Sequence, residues 1–237
     1  MGSWVVLLGA RKKHGVERIV FSSSCTVYGQ PEELPVTEAA PDRNANSPYG
    51  FTKVVCEQLL RDQSAAVPGL KAVLLRYFNP IGAHPSGSIG ELPLGVPNNL
   101  VPFVTQTGAG MRKELTVHGN DYATPDGSCV RDYIHVVDLA WAHVRALEWM
   151  EERTAPLCEV FNIGTGNGIT VLDVVNTFMK VTGVNIPYTI GPRRPGDVES
   201  VYAETSKSGK VLGWKAERGL DDALRDAWTW QCALQKK

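Results

Sequence analysis

The chain has 237 residues, 24 Lys plus Arg against 25 Asp plus Glu, a formal net charge of −1 and a 43% hydrophobic content. That balance supplies no global field for nucleic acid or an anionic membrane, and the length suits one large domain or one and a half small ones. Its apolar stretches, such as residues 4–10, are far too short to span a bilayer, and five widely spaced cysteines show neither zinc spacing nor a disulfide framework, which reads as reduced cytoplasmic thiols.

Residues 3–13 have helical apolar spacing and stop at Gly15, a position suited to a C-cap. Arg18, Ile19, Val20 and Phe21 read as a short buried strand to Ser22, ended by the run Ser22, Ser23, Ser24. A loop rich in Gly, Pro and acidic residues leads to a helix over 48–65, for which Asn46 or Ser47 offers the N-cap and Pro48 the first turn. Val67-Pro68-Gly69 ends it, and 72–77 is a second buried strand. Residues 79–98 carry four prolines and four glycines and read as a long functional loop. A helix over 99–107, a strand around 115–118, an extended segment at 129–135 and an amphipathic helix over 136–152 follow. A buried strand at 159–163 is closed by Gly164 and Gly166; then come a helix over 171–182, an edge-strand candidate at 186–190 and a last helix over about 220–233. Strands alternating with helices argue for α/β architecture with a parallel sheet.

Tyr49 and Lys53, four apart on the predicted helix, project from one face. A phenol near its reference pKa of about 10 is a poor base at neutral pH. An ammonium one turn away favours the phenolate and lowers that value, as a bound cationic nicotinamide also does. With Ser24 at a strand end to hold a hydroxyl and pass its proton, the pair suits proton removal from a carbinol. Alone, Tyr-x-x-x-Lys reads equally as an exposed helical pair; the serine-ended strand upstream turns the balance toward chemistry.

The stretches Phe21-Ser-Ser-Ser-Cys-Thr-Val-Tyr-Gly29, Ser47-Pro-Tyr-Gly-Phe-Thr-Lys53, Leu75-Arg-Tyr-Phe-Asn-Pro80, Val130-Arg-Asp-Tyr-Ile-His135, Asn162-Ile-Gly-Thr-Gly166 and Arg193-Arg-Pro-Gly-Asp197 occur in that order. In them the chain resembles the UDP-glucose (UDP-galactose) 4-epimerases of the extended short-chain dehydrogenase/reductase family. The resemblance implies an NAD-dependent isomerase of galactose metabolism. In that reaction NAD⁺ takes hydride from the hexose C4, the 4-keto sugar swings over, and hydride returns to the other face. It implies catalytic roles for Ser24, Tyr49 and Lys53, and NAD contacts at Ser22, Ser23, Tyr49, Lys53 and Tyr77. It implies UDP-hexose contacts at Ser24, Phe78, Asn79, Asn99, Leu100, Thr116, Val117, His118, Arg131, Arg194, Asp197 and Val201, with no metal. Guanidinium forks suit a diphosphate and a carboxylate suits ribose hydroxyls. Without the resemblance Arg131 reads as a partner of Asp132 or Asp138, and Asn99 as a helix cap.

The implied fold is a partial Rossmann-type (doubly wound) parallel sheet missing its first strands, with a smaller C-terminal substrate-binding α/β subdomain. Residues 1–78, with returning segments near 129–165, fall in the NAD-binding part; 79–128 and 166–237 fall mainly in the UDP-sugar part. A cytoplasmic homodimer is expected through the first helix and the Tyr49 helix, with Val5, Leu8, Val55 and Leu59 on the shared face and no nucleic-acid or membrane partner.

The chain departs from the family pattern in having no Gly-x-x-Gly-x-x-Gly turn to seat a pyrophosphate on a helix N-terminus; Gly164, Gly166 and Gly168 have a different spacing. On the resemblance roughly a hundred residues of such an enzyme are missing, which leaves the serine strand with an unpaired edge. The expectation is that this polypeptide binds NAD weakly or not at all and is catalytically dead. The alternative reading is a UDP-sugar-binding or relic fragment without catalysis. A nucleotide-sugar dehydratase is set aside because Val27, not an acid, follows Ser24-Cys25-Thr26. Val201 stands where relatives carry a tyrosine or a small residue, which leaves room for an N-acetyl group and hence for UDP-N-acetylhexosamines.

Overall fold

In the computed structural model, which describes residues 2–235, helix α1 (Gly2–Lys13) leads into β1 (Arg18–Ser24). Helix α2 (Pro48–Ala66) is followed by β2 (Lys71–Tyr77), β3 (Asn79–Ile81), α3 (Leu100–Gly108) and β4 (Leu115–His118). Then come β5 (Val130–Arg131), β6 (Tyr133–His135), α4 (Val136–Glu151) and β7 (Leu157–Ile163). The chain continues through β8 (Ile169–Thr170), α5 (Val171–Thr182), β9 (Tyr188–Gly191), β10 (Ser200–Val201) and α6 (Leu220–Gln235).

The main sheet is parallel throughout, in the order β1-β2-β7. Residues alternate across β2: Val73 and Leu75 pack with Leu139, Ala142, Ala146 and Met150 of α4, while Arg76 is bonded to Glu57 of α2. One face of the sheet is therefore covered by α4 and the other by α2, the layering of an α/β fold. β2 is buried from Ala72 to Arg76, whereas β1 from Arg18 to Ser22 stays exposed or half-exposed, contrary to the buried strand expected there. The reason is pairing: β1 meets a strand, β2, on one side only among the described residues. All three serines belong to β1, with Ser22 exposed and Ser23 and Ser24 buried.

A second core gathers Val101 and Val104 of α3, Leu115 and Val117 of β4, Val174, Val175 and Phe178 of α5, and Leu224 of α6. Here the expected elements needed correction. The loop from 79 opens as a strand, because Asn79–Ile81 pairs in parallel with Tyr133–His135. The extended segment at 129–135 divides at Asp132 into β5 and β6, which join different sheets. The edge strand near 186–190 lies at Tyr188–Gly191, parallel to β4. β5 runs between β10 and β8, two-residue strands with no sequence pattern of their own.

On the helices expected to form a shared face, Val55 is exposed, while Leu8 and Leu59 are half-buried; the side chain of Val5 lies outside the described residues. Val6 and Leu7 are exposed large apolar residues of α1. No helix among the described residues is long and apolar enough to cross a membrane.

Candidate active site

β1 and β2 run in register, so Ser24 and Tyr77 end side by side at the carboxyl edge of the sheet, where open α/β sheets place their ligands. A cavity of about 1320 Å³ opens there. Its wall brings together Ser23, Ser24, Tyr49, Tyr77, Phe78, Asn79, Asn99, Leu100, Thr116, His118, Arg131, Arg194, Asp197 and Val201. Three expected residues are not on that wall: Ser22, Lys53 and Val117, the last packed in the second core.

The Tyr49 end is built by a helix start. Ser47 caps α2 by accepting from Gly50 N–H at 3.1 Å, Pro48 occupies the first turn, and Tyr49 follows. Gly50 permits the approach to the turn after β1: a Cβ there would lie 2.9 Å from the Thr26 carbonyl oxygen. Ser24 Oγ accepts from both Thr26 N–H at 3.2 Å and Thr26 Oγ1 at 3.0 Å. A hydroxyl has two acceptor positions and one proton, so the proton of Ser24 remains for an oxygen in the cavity. Nothing in the sequence but its place two residues beyond Ser24 signals this role of Thr26.

Lys53 Nζ donates to the Ser22 carbonyl at 2.9 Å and stands 5.4 Å from the Tyr49 ring centre. The expected lowering of the Tyr49 pKa is not what the folded chain shows. Burial raises the phenol above its ordinary value and the Ser24 hydroxyl offsets only part of this. Tyr77 donates to Ser22 Oγ at 2.7 Å and its hydroxyl also meets His143 Nε2. The Ser23 hydroxyl points the other way, to Glu57, so any cofactor contact by Ser23 is left to its backbone.

At the other end, Arg194 grips Asp197 with two hydrogen bonds of 2.9 and 3.1 Å, and Arg131 lies 3.7 Å from the same carboxylate. Neither alternative partner holds Arg131. Asp132 instead accepts from Thr165 N–H, Thr165 Oγ1, Gly166 N–H and Ala203 N–H at 2.7–3.1 Å, and Asp138 is taken by Arg218 and the Glu217 N–H. Asp132 thereby ties the turn after β7 to the strand carrying Val201, beside Arg131, a brace not foreseen. Asn99 stands at the N-cap position of α3 without capping it; its amide donates to Glu91 at 2.8 Å.

Among the described residues no group of His, Cys, Asp and Glu side chains converges to hold a metal, and all five cysteines are unpaired. Ser22, Tyr49, Lys53 and Tyr77 present hydroxyls and an ammonium at the sheet edge, a donor set that fits the ribose and carboxamide of a nicotinamide nucleotide.

Residues 1–227 match the model of the GDP-mannose 4,6 dehydratase family. UDP-glucose 4-epimerase 1 of Oryza sativa subsp. japonica is 53% identical over 227 residues, which are 95% of this chain and 64% of that protein. The crystal structure of UDP-glucose-4-epimerase from Stenotrophomonas maltophila, with bound NAD and formylated UDP-arabinopyranose, superposes with a TM-score of 0.95 at 47% identity, covering 99% of this chain and 69% of that one. The Bifidobacterium longum UDP-glucose 4-epimerase, in complex with NAD+ and UDP, gives 0.92 at 51%, covering 97% and 68%. The chain thus spans about two thirds of the length of each of these relatives.

Proposed function

The chain belongs to the UDP-glucose 4-epimerase family, whose cofactor is NAD, and on that premise we propose that its cavity is a UDP-hexose 4-epimerase site interconverting UDP-glucose and UDP-galactose through a 4-keto sugar. One observation carries this reading: Arg131 and Arg194 line the same cavity as Ser24 and Tyr49. Guanidinium forks suit a diphosphate, and the Asp197 carboxylate suits ribose hydroxyls. The hexose would lie between them and the proton-transfer pair. Ser24, its acceptor positions filled by Thr26, donates to the sugar O4 or to the Tyr49 oxygen. Tyr49 takes the hydroxyl proton from O4 and returns it when the opposite configuration forms. Lys53 favours the phenolate and, with Ser22 and Tyr77, would hold the nicotinamide ribose. NAD, when bound, supplies acceptance and return of hydride at C4.

Two finer readings accompany it. Val201 borders the cavity with a short side chain, which favours acceptance of UDP-N-acetylhexosamines as well. The exposed Val6, Leu7 and Val55 on α1 and α2 favour a homodimer through those helices.

A second reading, UDP-sugar binding without turnover, is favoured by the burial of the Tyr49 phenol, which raises it above its ordinary value. Calorimetric titration with UDP and with UDP-glucose, alongside an epimerisation assay with added NAD, tests both. Saturable UDP binding with turnover supports the first reading, and binding without turnover the second. No binding of UDP at millimolar concentration would sink both.

A further inference from the structure

Beneath the cavity one pair of charged side chains is closed off from solvent. Arg76 of β2 is 0% exposed and Glu57 of α2 is 1% exposed. The guanidinium meets the carboxylate as a fork, Nε to Oε1 at 3.0 Å and Nη2 to Oε2 at 2.6 Å. Nη2 also reaches Asp42 at 2.5 Å, and Nη1 donates to the Tyr28 hydroxyl at 2.9 Å, which passes on to Asn162 of β7 at 2.7 Å. Arg61 joins Asp42 and Glu57 at 2.8 and 2.9 Å.

A buried ion pair is a poor device for stability alone, because desolvation consumes most of the attraction and apolar packing serves as well. The placement of this one is more telling. Arg76 directly precedes Tyr77, Glu57 lies one helical turn beyond Lys53 and two beyond Tyr49, and Ser23 directly precedes Ser24. The Ser23 hydroxyl donates to Glu57 Oε1, the oxygen that also receives Arg76 Nε. Successive strand side chains point to opposite faces, so holding Ser23 inward turns Ser24 toward the cavity.

We propose that Glu57 is a positioning residue for proton transfer: fixed by Arg76, it grips Ser23 and so sets the spacing of Ser24 from Tyr49 across the junction of β1 and α2. The inference rests on Ser24 and Tyr49 being the proton-transfer pair. Ser23→Ala removes only the link and leaves the ion pair whole, whereas Glu57→Gln also leaves a buried guanidinium short of a counter-charge.

The readout is the ionisation of Tyr49 in the full chain, followed by fluorine NMR after fluorotyrosine incorporation, which brings phenol titration down to a pH where the fold persists. Tyr49→Phe assigns its signal among the seven tyrosines. The titrating neighbours of Tyr49 are Lys53 on its own helix, Cys25 on the turn after β1 and Tyr77 on β2, and all remain in every variant. Ser24→Ala is expected to raise the midpoint; an unmoved midpoint there would remove the proton-transfer reading and this proposal with it. Ser23→Ala and Glu57→Gln are each expected to raise it too, and to add nothing in the Ser24→Ala background. Tyr28→Phe, which cuts the arm leading away to β7, is expected to lower the urea midpoint and leave Tyr49 unmoved. The proposal falls if Ser24→Ala shifts Tyr49 and Ser23→Ala does not. It also falls if the Ser23→Ala shift persists without Ser24, or if Tyr28→Phe shifts Tyr49 equally. Should Glu57→Gln not fold, Ser23→Ala decides alone.

Discussion

Lys53 Nζ stands over the Tyr49 ring at 5.4 Å from its centre, on the same face of α2, yet gives its hydrogen bond to the backbone of β1. The lysine therefore acts on the phenol through space only. Removing the charge with Lys53→Met disfavours the phenolate, so the Tyr49 titration midpoint, already raised by burial, moves further up. Phenolate absorbance against pH, with Tyr49→Phe as the blank, measures this. An unchanged midpoint would show that Lys53 serves the Ser22 carbonyl and has no hold on the phenol.

Gly50 is where the Tyr49 helix touches the turn after β1. A methyl group there meets the Thr26 carbonyl oxygen at 2.9 Å and the Ala45 Cβ at 3.0 Å, both tied to backbone. Alanine gains up to about 1 kcal/mol of helix propensity over glycine, but overpacking costs about 1–3 kcal/mol. Gly50→Ala is therefore expected to lose stability by urea unfolding despite its better propensity. A more stable variant would mean that α2 can shift away without cost.

The helices and the strands β2 and β7 were legible because periodicity and apolar runs are local signals. So was the Tyr49–Lys53 pair, since an i, i+4 spacing on a capped helix needs no tertiary information. What stayed hidden depends on partners far away in the chain. β5, β8 and β10 are strands only because they find one another, and Asp132 splits its segment only because Thr165, Gly166 and Ala203 converge on it. The half-exposure of β1 was misread for the same reason: an apolar run does not reveal how many neighbours it has. Thr26 feeding Ser24, and Glu91 holding Asn99, are contacts that residue type alone does not announce.

Asp42 ties acid stability to the same buried network. Burial alone would raise its carboxyl, but Arg76 and Arg61 outweigh that and hold it below the ordinary value. The folded-state pKa thus lies beneath the unfolded value of about 3.9, so the stabilisation is complete above that pH and is lost as pH falls through the folded-state value. Urea midpoints taken between about pH 7 and pH 3 should fall at the acid end, and less steeply in Asp42→Asn. Equal slopes for both proteins would remove Asp42 from the account.

Arg131 and Arg194 should not contribute equally to UDP binding. Arg131 is 14% exposed and gives its hydrogen bonds to the neutral Val130 and Glu199 carbonyls, with Asp197 at 3.7 Å, while Arg194 is 56% exposed and already spends two hydrogen bonds on the Asp197 carboxylate. A charged hydrogen bond is worth about 1.5–3 kcal/mol, so Arg131→Met should weaken UDP binding by roughly tenfold to a hundredfold. Arg194→Met should cost less, because the exposed charge is screened and its loss frees Asp197. Calorimetry with UDP reads both variants. The reverse ranking would place the diphosphate nearer Arg194 and beyond reach of Arg131.

Val201 tests the sugar end of the cavity separately. Its backbone pairs with Arg131, and its side chain packs among Cys25, Tyr28, Val36 and Phe78 while bordering the cavity. A tyrosine there has no room in that cluster without overpacking, so its ring must turn into the cavity, where it competes with any bulky substituent on the hexose. Val201→Tyr is expected to weaken UDP-N-acetylglucosamine binding by about tenfold or more, the equivalent of losing a well-packed group of a few heavy atoms, while leaving UDP and UDP-glucose nearly unchanged. UDP is the internal control, since it lacks the sugar altogether. If all three ligands weakened together, the ring would have disturbed Arg131 instead of filling the sugar space; if none did, Val201 would not face the hexose at all.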